Sequence, residues 1–189
     1  MNKDILAIFG PIPSPTDALT LALLAGMVLA RGLDFLSTWL VTPGLKLEAN
    51  PLMRRTGYVR MALLNLPLAG LPFLHHGLSI TFVVTSLLAA GSNLTSGALA
   101  RGMGERRATE AQAKAIREIG VATALLLNTT GALVIGLAGA ILMYLGRPAE
   151  SHAWWGALGV VMFGITGLVH FNLAILRLGR QKPQIKKSP

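Results

Sequence analysis

Long apolar runs separated by short polar breaks dominate the chain. The runs cover 19–41, 58–74, 78–99, 120–145 and 154–176, and none carries a regularly spaced polar face. A helix that is apolar all round sits in lipid or in a large core, and about 20 residues suffice to cross a bilayer. The pattern predicts an all-α, polytopic integral membrane protein: a compact five-helix transmembrane bundle. Its helices fall at about 16–41, 58–74, 78–99, 120–145 and 154–176. A short outer segment, 1–15, precedes the transmembrane domain, 16–177, and a basic cytoplasmic tail, 178–189, follows it.

The breaks have local causes. Pro11, Pro13 and Pro15 keep the start irregular, and Thr16 or Asp17 is placed to cap the first helix. Pro43-Gly44 ends that helix. Asn50-Pro51 reads as an N-cap followed by a first-turn proline. The 58–74 run is short, with Pro67 inside it and Pro72 near its end, so a bent crossing is expected, with a re-entrant hairpin as the alternative. The charged stretch 101–118 reads as an extension of the third and fourth helices beyond the lipid. Trp154 and Trp155 mark an interface at the start of the fifth.

Composition agrees. The 189 residues are 52% hydrophobic and 13% charged, where a soluble domain has about 25% charged residues. Cysteine is absent, which excludes disulfides and thiolate chemistry. Residues 1–17 lack the basic start and small-residue cleavage site of a signal peptide. Of the 17 Lys and Arg residues, 14 fall on one side of a five-helix arrangement, Lys3 and Arg147 on the other, and Arg31 inside the first helix. The positive-inside rule then places the N terminus outside and the C terminus in the cytoplasm of a prokaryotic cell. The net charge of +9 fits contact with anionic membrane lipids, and no basic face with aromatic platforms suggests nucleic acid.

In that orientation every helix carries a polar side chain at similar depth: Asp34 with Arg31 one turn earlier, Asn65, Asn93, Asn128 and His170. Glu48 and Asn50 lie in the loop beneath. Such groups are costly against hydrocarbon and should face one another or a cavity. His170 and Asn172 point about 200° apart on a helix, and His170 has the small-residue stripe of Gly167 and Ala174 beside it. Glycines 131, 136, 164 and 167 are placed to let helices approach. On the other face His75, His76, His152 and Glu150 come from two outer loops, a donor set suited to zinc, although their spacing matches no compact metal motif.

Leu33-Asp34, Ser37-Thr38, Gly44 and Glu48-Ala49-Asn50-Pro51-Leu52-Met53 together resemble a prokaryotic family of small, uncharacterised membrane proteins. Its members look to have an aspartate late in helix 1 and a Glu-x-Asn-Pro sequence before helix 2. The likeness covers the first two helices. Where the family often has a lysine in helix 2, this chain has Arg60 and Asn65. The resemblance implies a membrane fold and no particular activity.

Three functional readings follow. The polar layer suggests a cytoplasm-facing pocket that binds or transports an ion or small solute, in a protein that forms a homo-oligomer. Asp34 with Glu48 also suggests a membrane enzyme acting on a lipid or isoprenoid head group, with a divalent cation as cofactor. The absence of a phosphate loop, nucleophile elbow or His-Glu-x-x-His pair suggests an accessory subunit of a larger membrane complex.

Overall fold

The computed structural model describes residues 12–146 and 151–180. The start of the outer segment, Glu150 and the basic tail beyond Arg180 lie outside them. The described residues form helices α1 (Ala18–Val41), α2 (Pro51–Asn65), a 3-10 helix (Leu66–Phe73), α3 (His76–Met103), α4 (Glu105–Ile119), α5 (Val121–Leu145) and α6 (His152–Gly179). Four of these, α1, α3, α5 and α6, contain stretches long and apolar enough to span a membrane. Leu126, Leu127, Leu133 and Leu137 of α5 are 61–65% exposed. In water such a face would aggregate, whereas lipid solvates it.

Side-chain contacts set the helix directions. Thr20 Oγ1 lies 2.8 Å from His76 Nε2 at the beginnings of α1 and α3. Near their far ends Val41 packs against Gly97. The two helices are therefore parallel, and residues 42–75 return over the height of the bundle. Thr81 and Thr85 of α3 donate to the carbonyls of Trp155 and Gly159, at 2.9 and 3.0 Å, so α6 runs parallel to α3 as well. Helix α5 is antiparallel to α6, pairing Asn128 with Asn172 near one end and Gly139 with Val161 towards the other.

The return segment differs from the single bent helix expected over 58–74. Helix α2 begins earlier, at Pro51, where Asn50 Oδ1 accepts from the N–H groups of Leu52 and Met53 at 2.9 and 3.4 Å. Gly57 interrupts it with φ 76° and ψ 174°. Past Asn65 the chain tightens into the 3-10 helix containing Pro67 and Pro72. Prolines cannot donate to the α ladder, and a 3-10 helix rises more per residue, so a short segment covers more height.

Two other local expectations change. Asp17 occupies the N-cap position of α1 without a side-chain capping bond. Its carboxylate lies 3.9 Å from His76 Nε2 instead. The 101–118 stretch is no extension of its neighbours. Gly104 and Gly120, at φ 78° and 85°, turn the chain at both ends of a separate amphipathic α4. That helix buries Ala108 and Ala113 and exposes Arg106, Arg107 and Lys114.

Small residues make the core. Thr20, Met27, Ala30, Ser37, Ser79 and Ser86 are almost fully buried, while large leucines face outward. Lipid supplies no hydrophobic drive between helices, so close backbone packing and hydrogen bonds hold them. Of the four glycines singled out above, Gly164 sits at such a contact: a Cβ there would lie 3.0 Å from Ala132 O and Gly136 N. Gly131 faces open space, and Gly167 sees only Phe171 of its own helix.

Candidate ligand-binding cavity

Three helices present regularly spaced stripes to one cavity of about 320 Å3. From α1 come Arg31, Asp34, Phe35 and Thr38. From α3 come Ser86, Ala89, Ser92 and Asn93. From α6 come Phe163, Thr166, Gly167, His170, Phe171 and Ala174. Each set follows the three- and four-residue steps of a helix face. The 42–50 loop closes one side with Leu47, Glu48 and Asn50, α2 adds Met53 and Met61, and Gln112 of α4 completes the wall. The volume lies at the low end of the range for small-molecule sites, about 300–1,000 Å3.

Arg31 organises the polar floor. It donates to Asp34 Oδ2 at 2.9 Å, to Ser86 Oγ at 3.2 Å and to Asn65 Oδ1 at 2.6 Å. Its guanidinium also lies 5.5 Å from the centre of the Phe35 ring. Arg31 Nε is buried with no hydrogen-bond partner among the described residues. Asn65 holds its own orientation by donating to Met61 O at 2.7 Å. One turn along α1, Asn93 Nδ2 donates to Ser37 Oγ and Thr38 Oγ1 at 3.2 and 2.9 Å, and both hydroxyls donate to Asp34 O at 2.9 Å. Three segments distant in sequence are thus joined by charge-assisted and neutral bonds around one ion pair.

The loop beneath is held from three sides. Arg177 of α6 donates to the carbonyls of Glu48 and Lys46, each at 3.1 Å. Tyr58 Oη donates to Thr42 O at 2.8 Å. Glu105, the first residue of α4, accepts from the Gly44 and Lys46 N–H groups at 3.0 and 2.6 Å, and from the Thr42 hydroxyl. Sequence reasoning missed Glu105. Its partners lie about 60 positions earlier in the chain, beyond the reach of any local pattern.

The two loop-level carboxylates are perturbed in opposite directions. Burial pushes Glu48 above its ordinary 4.5; the Asn50 N–H opposes this and the Asp34 carboxylate adds to it. Glu105 is held below 4.5: its partial burial acts upward, but the Thr42 hydroxyl and the loop N–H groups outweigh it. The folded protein therefore holds the Glu48 proton more tightly than the unfolded chain. This favours folding below about pH 4.5 and is lost as pH rises through the raised value. Glu105 contributes stability above about pH 4.5, which disappears as pH falls through its lowered value. In ligand-free detergent solution, Glu48→Gln should melt higher than the parent at pH 7.5 and alongside it at pH 4. Glu105→Gln should melt lower at pH 7.5, with the deficit shrinking at pH 4. Melting curves at both pH values check this, and equal deficits at both would remove the electrostatic account.

The cavity brings together Arg31, Asp34, Glu48, Asn50, Asn93 and His170. Asn65 stands behind Arg31 as its acceptor. Asn128 does not join them: it donates to Asn172 Oδ1 at 2.8 Å, and Asn172 donates to Thr129 Oγ1 at 3.2 Å, forming an α5–α6 packing bond. The rotation of α6 that turns His170 to the cavity turns Asn172 to α5. The outer histidines do not converge. His75 caps α3 through Nδ1, accepting from the Leu78 N–H at 3.1 Å, and meets Trp155 edge-on. His76 bonds Thr20, and His152 is exposed at the start of α6. Among the described residues no three His, Asp or Glu side chains are grouped to hold a metal ion.

No protein-family model, curated protein or solved structure matches the chain.

Proposed function

We propose that this protein binds, and moves across the membrane, a small solute that occupies the Asp34–Glu48–His170 cavity from the cytoplasmic end. The convergence of polar side chains from α1, α3, α6 and the 42–50 loop on one cavity carries this reading. A packing network alone would close on itself, as Asn128 and Asn172 do. Asp34, Glu48 and Asn50, close together in the sequence around the first helix and its following loop, all line that cavity. The lipid-head-group reading asks for a cation to meet a phosphate, but Arg31 and Arg177 are committed to Asp34 and to the loop carbonyls.

In this reading the chain crosses the membrane five times, with α2 and the 3-10 helix as the irregular crossing, and the end carrying Lys46, Arg106, Arg107 and Arg180 faces the cytoplasm. The parallel run of α1 and α3 supports it, because the segment between them must return. Reporter fusions after Pro189 and at Gly77 should report opposite compartments, cytoplasmic for Pro189. The same compartment for both would discard the five-crossing arrangement.

The function is tested with purified protein, by thermal-shift screening against small ions and metabolites and by uptake into proteoliposomes. At least one solute should stabilise the parent and enter vesicles, and Asp34→Asn should lose both effects while remaining folded. A broad panel that neither shifts melting nor crosses faster than in empty vesicles would overturn it.

A further inference from the structure

Resting on that reading, we infer that the solute is a small organic cation, an alkylammonium whose charge meets Glu48 and whose apolar groups pack against Phe163 and Phe171. The acidic and basic side chains of Asp, Glu, Lys and Arg that line the cavity are Arg31, Asp34 and Glu48. Arg31 and Asp34 neutralise one another through the 2.9 Å bond. Glu48 is the surplus anion. No lysine and no second arginine lines the cavity among the described residues.

Neighbouring cations do not cancel Glu48. Arg177 lies at the loop but is spent on main-chain oxygens and does not line the cavity. Arg54 acts on Glu48 from an exposed position on α2, where water and salt screen it. The Asn50 N–H donates to Glu48 Oε1 at 2.7 Å, and the carboxylate lines the cavity. An anion entering here would face the carboxylate with no free cation to receive it.

The walls decide between a metal ion and an organic cation. A hard metal ion wants several oxygen ligands around it. Besides its hydroxyl and amide groups the cavity is lined by Phe163 and Phe171 and by Met53 and Met61, a surface that serves an alkylammonium and not a bare ion. Aromatic faces attract ammonium groups, and thioethers adapt to alkyl shapes. Phe35 shows the same preference within the protein, where its ring lies beside the Arg31 guanidinium. A volume of about 320 Å3 is large for a bare ion and suits an alkylammonium.

The test is calorimetric titration of the purified full-length protein in neutral detergent with tetraethylammonium, potassium, inorganic phosphate and glycerol. Tetraethylammonium should bind the parent, weaken at least tenfold in Glu48→Gln and severalfold in Phe163→Leu, with both variants melting as cooperative folded proteins. Potassium, phosphate and glycerol should bind far more weakly. Tetraethylammonium binding unchanged in Glu48→Gln would overturn the assignment. Phosphate or glycerol binding that is lost in Asp34→Asn would overturn the cation while leaving the cavity as a solute site. Potassium binding that ignores Phe163→Leu would replace the organic cation with a metal ion. Absence of binding by all four probes would overturn the cation assignment and leave the solute reading to the wider panel.

Discussion

Replacing Asp34 with leucine is expected to lower the melting temperature in detergent by roughly 5–10 °C. Asp34 is the only carboxylate paired with Arg31 among the described residues. Its loss leaves a guanidinium in the wall of the bundle with Ser86 and Asn65 as neutral acceptors. Removing one partner of a buried ion pair costs about 3–5 kcal/mol. Here the two side chains keep 25% and 20% of their exposure, which reduces the cost to about 2–3 kcal/mol. For a chain of this length each kcal/mol moves the midpoint by about 2–4 °C. Asp34→Asn retains a hydrogen-bond acceptor of the same shape and should cost about 1 kcal/mol. The stability order parent, Asn, Leu is read directly from melting curves. A leucine variant as stable as the parent would show that the Arg31–Asp34 pair does not hold the cavity floor. Because Asp34→Asn keeps the fold, loss of solute binding in that variant reports on the site and not on unfolding.

Gly159→Ala and Gly164→Ala should each destabilise the bundle by about 1–3 kcal/mol, the usual cost of forcing atoms into a closed contact. At Gly159 a Cβ would come within 2.8 Å of Thr81 O and of Val84 Cβ. At Gly164 it would lie 3.0 Å from Ala132 O and Gly136 N. Backbone cannot move aside as a flexible side chain can, so the helices must separate. Separation at Gly159 also stretches the Thr85 bond to its carbonyl, and Thr85 lines the cavity. Solute affinity should therefore fall with stability in Gly159→Ala. Gly164 contacts α5, so Gly164→Ala should lose stability with little change in affinity. Gly131→Ala is the control: nothing lies within 4 Å of the added carbon, and alanine favours helix by about 1 kcal/mol. Equal melting of Gly131→Ala and Gly159→Ala would show that the α3–α6 contact is looser than described.

The sequence by itself determined the class of protein and the cap of α2. Lipid requires each spanning segment to satisfy its own backbone, so apolar length alone marks α1, α3, α5 and α6. Asn50-Pro51 acts through bonds within three residues, and its role as a helix start was readable for that reason. Arg31 and Asp34 are one helical turn apart, so their pairing was readable as well. Only the tertiary structure decided what those elements face. The sequence shows that His170 and Asn172 diverge, but the rotation of α6 sends one to the cavity and the other to Asn128. That rotation is set by Gly159 against α3 and Gly164 against α5. Depth along the membrane grouped Asn128 with the cavity residues; angular position around the bundle separated it. Glu105 and Arg177 could not be assigned from their neighbours, because both bind backbone groups of the 42–50 loop. Main-chain N–H and C=O groups are the same at every residue, so no side-chain pattern marks the ones that a distant carboxylate or guanidinium will meet.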